Sequence, residues 1–404
     1  MAMSRASQLL SVADSARYGS INVVVFRNFE AFARERGRFN DLLENSNSIY
    51  PFCTFEWLES WWEAFGTESK LLFIVATEPH SGQWLGVLPL SITRYGPTDL
   101  WIKMVEPIAS RYSDYSVPIV RRCRVRETLE MLLSCALARL PEACVLNLRH
   151  WPIEHESYSV LTHYLDKHRI QYSVVKHVCP VLYLKQSSGK RQAGCNKKHL
   201  SDVKRQTRRL QNLGDLRLRV LSDADNLVPH LGNLFKMHIG QWREKGFVSD
   251  FQRLRAREFY RAIVNKMSHK GLHFSALVLN GRPISYHLGF VRNGYFYYYK
   301  PAFDTRYSQY SPGKVHVNYL IEEACNQNWA IFDFLKGDEP YKFLWTKDTR
   351  ETASVLIFPS TRSLRVQWVM STKAKVYSCL GKYYRKAKIV FQDGTARRAV
   401  SGEA

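Results

Sequence analysis

The chain has 404 residues, more than one small core needs, and 45% of them are hydrophobic, an ordinary share for globular domains. Lys and Arg outnumber Asp and Glu by 58 to 36, a net charge of +22, which favours phosphate-bearing partners such as nucleic acid, a phosphate-linked substrate or an anionic membrane face. No uncharged apolar run could span a bilayer, the polar start "MAMSRASQLLSVADSARYGS" is unlike a secretory leader, and eight scattered cysteines show no zinc spacing, so the expectation is a cytoplasmic protein with free thiols and no metal.

In chain order, "FEWLESWWEAFG" (55–66) has helical periodicity, "LLFIVATE" (71–78) and "WLGVLPLSI" (84–92) read as strands, "RETLEMLLSCALARL" (126–140) as a helix and "ACVLNLRH" (143–150) as a buried strand. In "NKKHLSDVKRQTRRLQNLG", Leu200, Val203, Thr207 and Leu210 share one side of a helix, Lys204, Arg205, Arg208 and Arg209 lie elsewhere, and Gly214 ends it. This stretch belongs to one of two basic segments: from Lys185 to Val220 eleven Lys/Arg face two acids, and from Thr361 to Ala404 ten face two. Such a helix could track a phosphate backbone. With no recognition motif beside it, a solvated face is the better reading, and specific nucleic-acid binding is not expected.

Residues 227–246 and 255–269 read as two further helices. "HFSALVLN" (273–280), "ISYHLGFV" (284–291) and "YFYYYKPAF" (295–303) then form an antiparallel meander, turned at Asn280-Gly281 and at Arg292-Asn293-Gly294. "YSPGKVHVNYLIEEA" (310–324) is a helix opened by a Ser-Pro-Gly corner, "AIFDFL" (330–335) a short buried strand, "KGDEPYKFLW" (336–345) a turn and short helix, and "TASVLIFP" (352–359) a last strand. The order β-β-β-α-β-α-β is loosely repeated in the first half. The expectation is therefore an α/β protein of two related units, at 20–182 and 183–360, followed by a basic tail at 361–404.

Several residues suit a site on chemical grounds. Proline at a helix start has no N–H to waste and glycine lets an anion approach, so Ser311, Gly313 and Lys314 are candidates for holding a phosphate, against the plainer alternative of an N-cap. His238 and Trp242 stand at i and i+4 on one helix face, either packed on the sheet or lining a cleft. In the aromatic strand one set of side chains faces the core and the other is open to a ligand, which makes Tyr299 a candidate platform for a sugar. His287 has no second ligand near it in sequence, so no metal is expected there.

The ordered series "FEWLESWWEAF", "LGVLPLSI", "SDYSVPIV", "KKHLSDVKRQTRRLQNLGDLRL", "LFKMHIGQW", "YSPGKVHVNYLIEEA" and "FDFLKGDEPYKFLW", spread over the middle of the chain, resembles the GNAT acyltransferases in their tandem form, the Fem-like and CelD-like proteins. The resemblance implies two GNAT-like units, each a mixed, mostly antiparallel sheet flanked by helices, with the acceptor on the first and the donor on the second. It implies no permanently bound cofactor and an acyl-CoA cosubstrate, with its pyrophosphate at the helix start after the meander. The family carries Gln/Arg-x-x-Gly-x-Gly/Ala there; this chain has Gln309, Tyr310, Ser311, Pro312, Gly313 and Lys314, with one displaced glycine.

By the same resemblance Asp338 would be the base, Tyr341 the acid, Lys342 a phosphate or oxyanion contact, and Asp114 a first-unit acid in the acceptor cleft. The implied activity is N-acyl transfer by direct attack to an amino-sugar or nucleotide-sugar acceptor, in polysaccharide or envelope biosynthesis. A Fem-like aminoacyl-tRNA donor and a catalytically silent scaffold are the alternatives. The tail run "KVYSCLGKYYRKAKIVF" interleaves cations with aromatics and suits an anionic membrane surface, which would hold the protein at the inner face of the membrane.

Overall fold

The computed structural model describes residues 13–18, 20–95, 102–140, 144–184 and 196–359; the basic tail proposed for lipid binding lies outside them. The first half runs β1 (Ala13–Tyr18), β2 (Ile21–Phe26), α1 (Phe29–Ala33), α2 (Arg36–Glu44), α3 (Phe55–Phe65), β3 (Lys70–Thr77), β4 (Trp84–Tyr95), β5 (Ile102–Pro107), β6 (Ile119–Val120), α4 (Val125–Arg139), β7 (Cys144–Pro152), α5 (Glu156–Lys167) and β8 (Gln171–Tyr183). The second runs α6 (Lys197–Gln211), β9 (Leu216–Leu221), α7 (Leu227–Glu244), α8 (Leu254–Met267), β10 (Leu272–Leu279), β11 (Arg282–Arg292), β12 (Tyr295–Phe303), α9 (Pro312–Asn326), β13 (Ile331–Asp333) and β14 (Thr349–Phe358).

These strands make one continuous mixed sheet in the order β1-β2-β3-β4-β5-β7-β14-β8-β13-β12-β11-β10-β9, with β6 beside β4. Among the described residues two pairs are parallel, β5 with β7 and β12 with β13, one in each half. The last strand crosses back: β14 lies between β7 and β8, and β8 pairs with β14 through Pro180 and with β13 from Val181. Residues 182 and 183 thus fall at the end of a strand that serves both halves, and β14, late in the chain, completes the first.

The two halves are joined by aromatic packing. Trp57 of α3 meets Phe259 of α8 and Phe290 of β11 edge to face, and Phe52 packs on Tyr299. Burying each such ring contributes roughly 2 to 3 kcal/mol. At the rim Lys266 pairs with Glu59 and Glu63, and Lys270 with Glu56. Polar atoms of the seam are matched as well: Tyr297 donates to the Ile49 carbonyl (3.1 Å), Tyr299 to that of Tyr112 (2.6 Å) and Tyr115 to the Asp333 carboxylate (2.8 Å).

One irregularity shapes the site. Between β11 and β12 the register passes from Leu288–Lys300 to Phe290–Tyr297, so β12 carries one extra residue, a β-bulge. The N–H of Tyr299 in this bulge donates to Nε2 of the buried His287 (3.2 Å).

Candidate active site

β12 and β13 pair only over Tyr295–Tyr297 and Ile331–Asp333. Beyond that the bulge turns β12 aside, and the chain after Asp333 follows β8 instead, with Phe334 N–H on the Pro180 carbonyl (3.0 Å) and Gly337 N–H on that of Val178 (2.9 Å). The two lips of the gap carry Lys300 and Lys336. Asp114 reaches them from the first half, its Oδ1 3.8 Å from Lys336 Nζ.

The neighbours of Asp114 are tied down on both sides. Trp57 Nε1 donates to Ser113 Oγ (3.0 Å), Tyr112 gives its carbonyl to Tyr299, and Tyr115 is bonded to Asp333. Burial raises the pKa of Asp114, opposed by Lys336 and Lys300. Burial lowers both lysines, against the pull of Asp114. Lys300 lies 4.4 Å over the Tyr299 ring. Lys336 donates to His150 Nε2 (2.9 Å), which is an acceptor because burial and the adjoining ammonium push His150 down to about 2. His150 and Leu335, both beside Lys336, hold left-handed φ of 56° and 60°, a local strain of a kind concentrated at functional sites. Asp333 is pushed up to about 6 by burial, although Tyr115 and the Leu335 N–H donate to it.

The residues expected from sequence fall into three groups. Asp114 is in the cluster, and His238 borders it, donating to or accepting from Ser249 Oγ at 2.8 Å and lowered to about 3 by burial and by Lys300. Trp242 stacks on His238 (5.3 Å, 15°) and is 39% exposed.

A second group differs from expectation. Tyr299 is no open platform: it is buried and its hydroxyl is shared between Tyr260 and the Tyr112 carbonyl, so it cements the seam. Lys342 is no ligand contact either. It is buried with Nζ on the carbonyls of Leu335 (3.3 Å) and Lys336 (3.0 Å) and on Glu339 (2.9 Å), which matches its three donors and braces the Lys336 lip. Asp338 is exposed on the same turn. Tyr341 leaves 41% of its surface in solvent, yet burial around its hydroxyl, and then Glu339, hold the phenol well above its ordinary pKa.

The third group is the corner before α9. Ser311 is left-handed (φ 51°, ψ 51°), and its carbonyl accepts from both Lys314 N–H (3.0 Å) and Val315 N–H (3.2 Å). Pro312 has no N–H, so Gly313 supplies the one first-turn amide not used this way. A Cβ on Gly313 would sit 3.1 Å from the Phe303 ring, so the glycine serves close packing. Lys314 is paired with Asp202 of α6 (2.5 Å), and Arg209 donates to the Gln309 carbonyl (3.0 Å) while lying over Tyr310. Gln309, Ser311, Gly313 and Lys314 therefore do not form a nest of free amides that fits the diphosphate of coenzyme A. A separate groove of about 360 Å³ on the outer flank of α7, lined by Lys236, Arg282, Asp304 and Arg306 among others, shares no residue with the Asp114 cluster.

Lys300, Lys336 and His150 were not singled out from sequence. A signal existed for the first two: a lone lysine inside "YFYYYKPAF" and another directly after the buried "FDFL".

Comparison with known proteins agrees with this architecture. Residues 197–343 match the family described as acetyltransferase (GNAT) domain. Among solved structures, FemX superposes with a TM-score of 0.58 at 10% identity, over 83% of this chain and 98% of its own. A conserved protein of unknown function from Bacteroides thetaiotaomicron (12% identity, 80% and 97% covered) and L-PGS from Bacillus licheniformis (12%, 84% and 95%) superpose with TM-scores of 0.48. No curated protein sequence matches the chain. Residues 197–343 thus match a GNAT domain, and the chain as a whole shares the fold of FemX.

Proposed function

We propose that the protein is an acyltransferase that delivers an acyl group to an amine in the cleft between its halves. The observation that carries this reading is Asp114, half-buried beside Lys336 and within the influence of Lys300 where β12 and β13 part. Attack of an amine on an acyl carbonyl needs a base for the nitrogen proton, positive charge near the developing oxyanion and an acid for the departing group. Asp114 is the base, strengthened by burial. The two lysines place positive charge on either lip of the gap. The Tyr341 phenol, kept protonated by burial, is the acid. Asp333 orients Tyr115 and Leu335 and so positions Asp114.

The acceptor in this reading is an amino sugar or nucleotide-linked amino sugar, as the family resemblance implies. The match of residues 197–343 to a GNAT domain supports an acyl-CoA donor. A second donor, aminoacyl-tRNA, is favoured by the α9 corner, which lacks the free amides a diphosphate needs, and by the exposed cations Lys197, Lys198, Lys204 and Arg205 on α6. Thermal-shift titration with an acyl-CoA series and with charged tRNA separates the two. On whichever donor turns over, Asp114→Asn lowers turnover by roughly 10²–10⁴ with the fold retained by circular dichroism. Wild-type turnover in both Asp114→Asn and Lys336→Met removes the reading.

A further inference from the structure

Three of the large hydrophobic side chains on the described surface are far more exposed than the rest: Val248 (72%), Leu254 (65%) and Phe247 (64%). Phe247 and Val248 lie in the connection between α7 and α8, and Leu254 opens α8. Trp242, on the last turns of α7, adds its ring beside Phe247 at 6.0 Å. The connection is held at its base. Phe251 is buried, its N–H bonded to Ser249 Oγ (3.1 Å), and Ser249 is in turn bonded to His238. Four apolar side chains are thus presented to solvent by an anchored tip, an arrangement that costs free energy unless something covers it.

Charge says what covers it. Arg243, Lys245 and Arg253 are exposed around the apolar tip, against Glu244 and Asp250. A second copy of this chain, at net +22, and the chain's own tail, with ten cations to two acids, carry the same sign and are disfavoured as covers. Aromatic and aliphatic side chains ringed by Lys and Arg are the composition that settles at a lipid–water boundary. Among the described residues no helix is long and apolar enough to cross a membrane, so the contact would be peripheral.

We propose that the α7–α8 tip is a membrane-docking surface, with Phe247, Val248 and Leu254 at the headgroup–acyl boundary and Arg243, Lys245 and Arg253 against lipid phosphates. The tip lies beside the cleft: Asp250 is close enough to Lys300 and Tyr112 to act on both. Docking at the tip would therefore bring the cleft close to the bilayer. This inference does not rest on the catalytic roles given above.

The test is flotation of the full chain with vesicles of phosphatidylcholine alone and of phosphatidylcholine with phosphatidylglycerol, at low and physiological salt. Wild type should float with the anionic vesicles, and Phe247→Ser/Val248→Ser/Leu254→Ser should lower partitioning roughly tenfold or more with the melting curve unchanged, because these side chains leave the core untouched. Lys245→Ala/Arg253→Ala should lower it on anionic vesicles and steepen no salt dependence. Equal flotation of wild type and the triple variant overturns the proposal and assigns any lipid binding to the tail. No flotation of wild type overturns it as well. A triple variant that changes only its sedimentation as an oligomer makes the tip a protein contact, and the proposal falls.

Discussion

Acidification should destabilise this protein well above the pH at which ordinary carboxylates titrate, and buried histidines set the size of the effect. His150, His287 and His316 are each no more than 2% exposed. Each uses a ring nitrogen as an acceptor: His150 Nε2 for the Lys336 ammonium, and His287 Nε2 for the Tyr299 N–H in the bulge. At His316, Ser285 spends its proton on the Ala302 carbonyl, so Nδ1–H donates to Ser285 and Nε2 accepts from Ser275. Protonation would charge a buried ring and break the accepting bond. Burial accordingly lowers His150 to about 2, His316 to about 3 and His287 well below its ordinary 6.5.

Because the folded values lie below the unfolded one, the stability these groups lend is complete above pH 6.5 and is lost as pH falls towards their folded values. At pH 5 His150 and His316 each cost about 2 kcal/mol, since their folded values lie below 5, and His287 adds to the loss. Asp333 acts oppositely: its folded value of about 6 exceeds the ordinary 3.8, so it returns about 1.4 kcal/mol at pH 5. Glu106 and Asp114, also raised by burial, act in its direction. His150 and His316 set against Asp333 leave a net loss of about 2.6 kcal/mol from pH 7.5 to 5, a sizeable part of the stability of an ordinary domain, and His287 and His238, also lowered by burial, add to it. Urea unfolding followed by circular dichroism at pH 7.5, 6 and 5 measures it, and His316→Gln, which cannot titrate, should flatten the dependence by about 2 kcal/mol. A midpoint constant across that range, or an unaltered slope in the variant, refutes the reasoning.

Two substitutions on the turn after β13 should behave differently. Tyr341→Phe keeps the ring and should lower turnover roughly 10²–10⁴ at unchanged donor affinity, measured by single-turnover kinetics and titration; wild-type turnover would take the acid role from it. Lys342→Met strands two buried carbonyls and should cost about 1–3 kcal/mol in urea unfolding, with any loss of turnover following from displacement of the Lys336 lip; full stability with weakened donor binding would restore the ligand role expected from sequence.

Local chemistry made much of the framework legible. Asn280-Gly281 and Asn293-Gly294 both take positive φ at each position, as two-residue hairpins require, and they frame β10, β11 and β12 as read. The helices at 55–66 and 126–140 and the basic helix from 197 form where the apolar spacing placed them. β9, whose "LRLRVL" is half exposed, and β8, exposed along much of its first part, have weak patterns and were not foreseen. β14 was readable as a strand, but its seat between β7 and β8 was not, since pairing across half the chain leaves no mark on neighbouring residues.

The site divides in the same way. Asp114 was visible through the resemblance, as an acid between aromatics. What suits it to the proposed role of base is tertiary: Trp57, Tyr299 and Asp333 fix its neighbours, and from the other half Lys300 arrives on β12 and Lys336 on the loop after β13. Lys342 and Tyr299 show the converse, since their types suit a ligand and the fold spends their polar atoms on its own carbonyls. The spacing of apolar residues and the identity of turn residues are properties of a short stretch of chain, and they determine where elements begin and end. Burial, hydrogen-bond partners and pKa depend on what approaches from elsewhere, and only the tertiary structure decides that.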